Sequence, residues 1–137
     1  MAVNKNLDAT INGFSYDMVK KMVENKKYKQ KLLNNIEKAL GVLTNDGVYA
    51  YYVFCKSQVA KENKDNPEKD PMFQIYIMNI VKEFQTFVKH KLNDKGYDAF
   101  FCELSEDIHE LLFFKDIIEQ VLIYARYHAK ACGDEND

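Results

Sequence analysis

Apolar residues recur at helical spacing along most of this chain, and that period excludes most architectures by itself. Leu7, Ile11, Phe14, Met18 and Met22 follow at steps of four, three, four and four. That is one face of a helix from about Leu7 to Glu24. Gly13 lies inside it, at a cost of about 1 kcal/mol relative to Ala. Leu32, Leu33, Ile36, Leu40 and Leu43 give a second helix its face. Thr44-Asn45-Asp46-Gly47 then breaks the period with helix-stop and helix-start chemistry. The run from Val48 to Cys55 holds strand-like residues, but it continues into the polar helical segment Lys56 to Glu62 and has no partner strand elsewhere. It is therefore predicted as helix, and its lack of a polar face marks it as the central, most buried one.

The segment Asn63 to Pro71 (NKDNPEKDP) holds both prolines and reads as the one clear loop. A fourth helix is predicted from Pro71, a favourable first-turn proline, through Phe73, Ile77, Ile80, Phe84, Phe87 and Val88 to about Leu92. Tyr97 to Leu104 predicts a short helix. Ser105 is the predicted N-cap of a last helix striped by Ile108, Leu111, Leu112, Ile118, Val121, Leu122 and Ala125. Only 2 Pro and 5 Gly occur in 137 residues, too few for an all-β sandwich. With 47% hydrophobic residues, including 9 Tyr and 9 Phe, one real core is possible and disorder is excluded for most of the chain. The expected fold is all-α: a compact single-domain bundle of five or six helices over residues 1–137. It is ordered from about 7 to 131, with an acidic tail at 133–137 that frays.

Charge divides along the sequence. Residues 1–64 carry 11 Lys against 6 Asp and Glu, a net of +5, while residues 65–137 carry a net of −7. Such a chain suits head-to-tail docking, or a basic surface turned to a polyanion while an acidic one meets basic partners. Lys20, Lys21, Lys26, Lys27, Lys29, Lys31 and Lys38 crowd two consecutive helices and their junction. Lysines bind phosphate as point charges without reading sequence. Lys20, Lys21, Lys27, Lys31, Lys38 and Lys56 are the candidate nucleic-acid contacts. Glu103, Glu106, Asp107 and Glu110 are the candidate acidic face for protein partners. Tyr16, Tyr28, Tyr49, Tyr51 and Tyr52 offer stacking surfaces unless the core takes them. A single Arg argues against specific duplex readout, where its fork is preferred.

Catalytic chemistry is sparse. His90, His109 and His128 include no i, i+4 pair, and Cys55, Cys102 and Cys132 have no CxxC spacing. His109 between Asp107 and Glu110 is the best metal suspect, with an ordinary surface histidine the simpler reading. Cys102 with His109 is the only thiol-and-base pairing to consider, against a plain core cysteine. No phosphate loop, dinucleotide loop or nucleophile elbow occurs. The expectation is a non-enzyme with no catalytic residue, metal or cofactor. Met1 to Asn12 is polar and the longest apolar run is too short to span a bilayer, so no membrane partner and a reduced, cytoplasmic setting are expected.

The order of these features resembles the small α-helical subunit of the type III-B CRISPR effector, the RAMP-module small subunit family. A turn at Asn45-Asp46-Gly47-Val48 leads into the apolar helix Tyr49-Ala50-Tyr51-Tyr52-Val53-Phe54-Cys55, which finishes in Lys56-Ser57. Phe114-Lys115 and Tyr124-Ala125-Arg126-Tyr127-His128-Ala129 fill places similar to those of the family's last helix. The resemblance covers about Leu7 to Ala131. The chain differs in having no Trp, an inserted Asp46, and Lys115 where the family has Arg. A type III-A small subunit is a neighbouring possibility. The resemblance implies a structural subunit in antiviral defence, with several copies stacking along a ribonucleoprotein filament beside the guide–target duplex. Its implied partners are the other effector subunits, crRNA and target RNA, and further copies of itself. A different class of reading is a helical interaction module that docks on another protein complex and blocks it.

Overall fold

The computed structural model describes the backbone of residues 2–136 and the side chains of residues 7–132. It is all-α: six helices and no strand among the described residues. They are α1 (Ala2–Glu24), α2 (Lys29–Asp46), α3 (Val48–Ser57), α4 (residues 71–87), α5 (Gly96–Ser105) and α6 (Ile108–Asn136). The expectation of a fraying tail at 133–137 falls on residues whose side chains lie outside the described set.

In α1, Leu7, Ile11, Met18 and Met22 are buried as their spacing predicts, joined by Val19 and Ser15. The buried serine is satisfied locally and across the core: its Oγ lies 2.8 Å from the Ile11 carbonyl and 3.1 Å from that of Val121. A hydroxyl so placed avoids the penalty of an unpaired buried polar group and fixes α1 against α6. In α2 the buried face is Leu32, Asn35, Ile36, Ala39 and Leu43, with Leu33 and Leu40 only half-buried. α6 lies along both α1 and α2, so the basic and acidic halves of the sequence interleave instead of forming two lobes.

Gly47 makes the α2–α3 junction possible. Its φ of 98° and ψ of −176° lie in a region essentially restricted to glycine, and its N–H bonds the Leu43 carbonyl at 3.0 Å. α3 then buries Val48, Tyr51, Tyr52 and Cys55 but leaves Val53 50% and Tyr49 40% exposed. It is buried along one face only, a correction to the expectation of a helix covered all round. It also stops at Ser57 instead of running to Glu62. Ser57 Oγ donates to the Phe54 carbonyl at 2.6 Å, Lys64 Nζ donates to the Ser57 carbonyl at 2.8 Å, and the chain turns to bury Val59.

Asp70 organises the loop that follows. Its buried carboxylate accepts from Ala60 N, Asn63 Nδ2 and Met72 N at 2.8–2.9 Å, capping α4 while Pro71 opens it. α4 is α-helical at Pro71–Phe73, π-helical at Gln74–Met78, α-helical at Asn79–Phe84 and 3-10 at Gln85–Phe87. The π stretch widens the helix by one residue per turn, a feature concentrated at functional positions. α4 ends at Phe87 instead of Leu92. Val88 turns extended while staying buried, and Lys91 Nζ bonds the carbonyls of Gln85 and Val88.

Ser105 belongs to the last turn of α5, its Oγ donating to the Phe101 carbonyl, and Asp107 caps α6 by accepting from Glu110 N at 3.3 Å. The expected stripe of α6 holds at Ile118, Val121, Leu122 and Ala125 and fails at its start. Phe114, Ile117, Ile118, Val121, Leu122 and Ala125 are buried, whereas Ile108 and Leu112 are 58% and 51% exposed.

Aromatic rings join four helices. Tyr52 of α3 stacks on Phe101 of α5 at 4.6 Å, Phe73 of α4 meets Tyr97 edge-on at 5.6 Å, and Phe114 of α6 meets Phe100 at 5.7 Å. Such pairs add about 0.5–1.5 kcal/mol each beyond the area they bury. Two buried tyrosines tie the same core by hydrogen bonds. Tyr51 OH donates to the Tyr76 carbonyl at 2.7 Å and Tyr76 OH to the Leu32 carbonyl at 2.6 Å, so α3, α4 and α2 are linked in series.

Candidate nucleic-acid and docking surfaces

Most of the candidate lysines come from α1, α2 and the turn between them. Asn25 Oδ1 accepts from Tyr28 N at 2.9 Å and shapes that turn. Tyr28 then projects its ring between two lysines: Lys27 Nζ lies 5.2 Å and Lys31 Nζ 5.9 Å from the ring centroid. Glu62 closes the cluster, accepting from Lys27 Nζ at 2.9 Å and from the Tyr28 hydroxyl. These bonds, the tyrosine's first, hold the Glu62 carboxyl below its usual range, and the bond to Glu62 raises Lys27. The cluster is exposed, so its charges are screened and remain free to exchange partners.

The other lysines lie elsewhere. Lys38 is seven residues beyond Lys31 on α2, two turns along the same side. Lys20 borders a groove between α1 and α6 with Tyr16, Val23 and His128. Its neighbour Lys21 opens onto a different groove, against α4. Lys56 sits beside α5, 3.9 Å from Asp98 and 5.8 Å from the Tyr52 ring centroid. The structure thus brings Lys27 and Lys31 together, with Lys38 in line, and leaves Lys20, Lys21 and Lys56 on separate surfaces.

Of the tyrosines considered for stacking, Tyr51 and Tyr52 are core residues and are withdrawn. Tyr16 and Tyr49 are exposed, and Tyr28 is half-buried. Burial pushes the Tyr51, Tyr52 and Cys55 acid groups upward, the signature of interior positions.

The four acidic candidates divide in a similar way. Asp107 caps α6 and lies 3.8 Å from His90 Nε2, while the Glu110 carboxylate accepts the Lys89 backbone N–H. Both tie the segment after α4 to the start of α6. Glu106 is exposed and Glu103 half-exposed, without a described ion pair. Beside them α6 presents Ile108, Leu112 and Phe113, and further along Tyr124 and Tyr127, five of the eight large exposed apolar residues of the described chain.

No group of three or more His, Cys, Asp and Glu among the described residues is arranged to hold a metal ion. Cys102 is exposed and donates to the Tyr49 hydroxyl at 3.9 Å. Among the described residues no helix is long and apolar enough to cross a membrane.

A polar groove between α1 and the π-helical stretch of α4 escaped the sequence reading. It consists of two adjoining clefts of about 280 and 440 Å³. Lys21, Ile75, Asn79 and Lys82 line both; Asp17 and Glu83 line only the first, Asn25 and Gln74 only the second. Lys82 stands alone in sequence, outside the lysine cluster, so only the folded chain sets it opposite Lys21.

Comparison with known protein families, with curated proteins and with solved structures finds no match.

Proposed function

We propose that the chain is a non-catalytic structural subunit of a type III CRISPR RNA-guided interference ribonucleoprotein. In this reading copies stack beside the crRNA–target duplex in the cytoplasm and offer lysines to the phosphate backbone. The observation that carries it is the α2–α3 unit. α2 ends at Asp46, Gly47 alone separates it from the apolar helix α3, and α3 ends at Lys56-Ser57, an order that supports the reading. The exposed Lys27–Tyr28–Lys31 cluster adds support, because Lys27 need only leave Glu62 to meet phosphate and Lys31 forms no ion pair with a described residue.

The reading is tested by a salt titration of the assembled complex on a guide–target duplex. Lys27→Glu with Lys31→Glu should weaken RNA-dependent assembly and flatten its salt dependence. Unchanged assembly with an unchanged salt slope rejects the basic surface.

A second reading is a helical module that docks on, or inhibits, another protein complex. The exposed apolar row of α6, bordered by Glu106, Asp116 and Glu119, favours it, since such a row is suited to a basic apolar partner. Genomic neighbours separate the two: a small subunit sits among effector genes.

A further inference from the structure

We infer that the groove between α1 and the π-helical stretch of α4 binds a nucleoside monophosphate unit. The phosphate would sit on Lys21 and Lys82 and the base edge on the amides beyond them. Lys21 and Lys82 come from different helices and line both clefts, and neither forms an ion pair with a described residue. In the second cleft these two lysines are the only charged lining residues, which suits a dianion there.

The two clefts differ in chemistry. Asp17 and Glu83 line the first cleft beside the same two lysines, so they repel an anion there and confine a single phosphate to the second. The second is lined by Asn25 and Gln74, each with part of its amide already used. Asn25 Oδ1 accepts from Tyr28 N, leaving its NH2, and Gln74 Nε2 donates to the Glu68 carbonyl, leaving its oxygen. Asn79, which lines both clefts, has no side-chain bond to a described residue and offers both a donor and an acceptor. Paired donor and acceptor groups of this kind match the edge of adenine. Ile75 and Met78 supply apolar wall for the ring, and the second cleft, at about 440 Å³, is in the range of small-ligand sites, about 300–1,000 Å³. The widened π turn carries Ile75 and Met78 into this wall.

The test is calorimetric titration of the full chain with AMP, inorganic phosphate and single-stranded hexa-adenylate. AMP should bind saturably and more tightly than phosphate. Lys21→Ala and Lys82→Ala should each weaken AMP about tenfold. Asn79→Ala should weaken AMP but not phosphate, and Lys130→Ala, outside the groove, should change nothing. These substitutions are at the surface, so melting temperatures should hold. Tighter hexa-adenylate than AMP assigns the unit to a strand, and the reverse to a free nucleotide; either supports the site. No saturable binding of AMP or hexa-adenylate overturns it. So does equal affinity for AMP and phosphate, or indifference to both lysine substitutions. The isolated chain suffices for this titration, so its failure leaves the proposed assembly role standing, and failure of that role leaves the groove standing.

Discussion

Tyr76 and Tyr28 both donate a phenol hydroxyl to an oxygen distant in sequence, with opposite consequences. Tyr76 does so inside the core, to the Leu32 carbonyl, and receives the Tyr51 hydroxyl on its own carbonyl. Tyr28 does so at the surface, to a carboxylate that Lys27 also holds. In the interior, water cannot replace a lost partner, so the bond sets how α2, α3 and α4 sit together. At the surface water replaces it readily, and the same chemistry makes a cluster that can trade Glu62 for another anion. One region holds the fold and the other is free to bind.

The most severe test of that contrast is a deep aromatic truncation. Phe101→Ala should cost about 3–5 kcal/mol in chemical denaturation, because Phe101 contacts Tyr52, Phe100 and Phe114 and is 1% exposed. Gly47→Ala comes next, at about 1–3 kcal/mol. A Cβ there meets nothing within 4 Å, so the whole cost is the backbone conformation. Tyr76→Phe should cost about 1 kcal/mol, since the Leu32 carbonyl keeps its place in the α2 ladder. Tyr28→Phe should leave the melting temperature unmoved; a loss matching that of Tyr76→Phe would break the contrast.

The smallest effect is one of pH. Glu62 has its carboxyl lowered in the folded chain, first by Tyr28 and then by Lys27. Its contribution is therefore present above the ordinary glutamate range and fades as pH falls through the lowered value. Tyr28 and Lys27 are raised, so theirs are present at neutral pH and fade only in strong alkali. NMR titration should find the Glu62 carboxyl below that of an isolated glutamate, and Tyr28→Phe should return it toward the ordinary value.

Much of the fold is legible in the sequence because helix period and burial agree along α1 and the middle of α6. Where they part, the cause is tertiary. Ile108 and Leu112 have the right spacing for a core stripe, yet α6 starts before the bundle covers it. Ser105 is a good cap by type, but its hydroxyl is committed to the Phe101 carbonyl, and Asp107 takes the role. α4 ends early because Lys91 folds back onto the carbonyls of Gln85 and Val88, an event without local pattern. The π stretch at Gln74–Met78 is invisible for the same reason. Of the candidate surfaces, the lysine cluster was legible as composition, but not its division among separate surfaces. Lys82 gave no signal at all, since its partner is more than sixty residues away in the sequence.

The assembly role is tested most directly by affinity purification of the tagged chain from its native host, with RNA extracted from the eluate. The account predicts recovery of several effector subunits together with a discrete guide RNA. A monomer eluting without RNA or partner would contradict it and leave a helical domain whose surfaces serve another task.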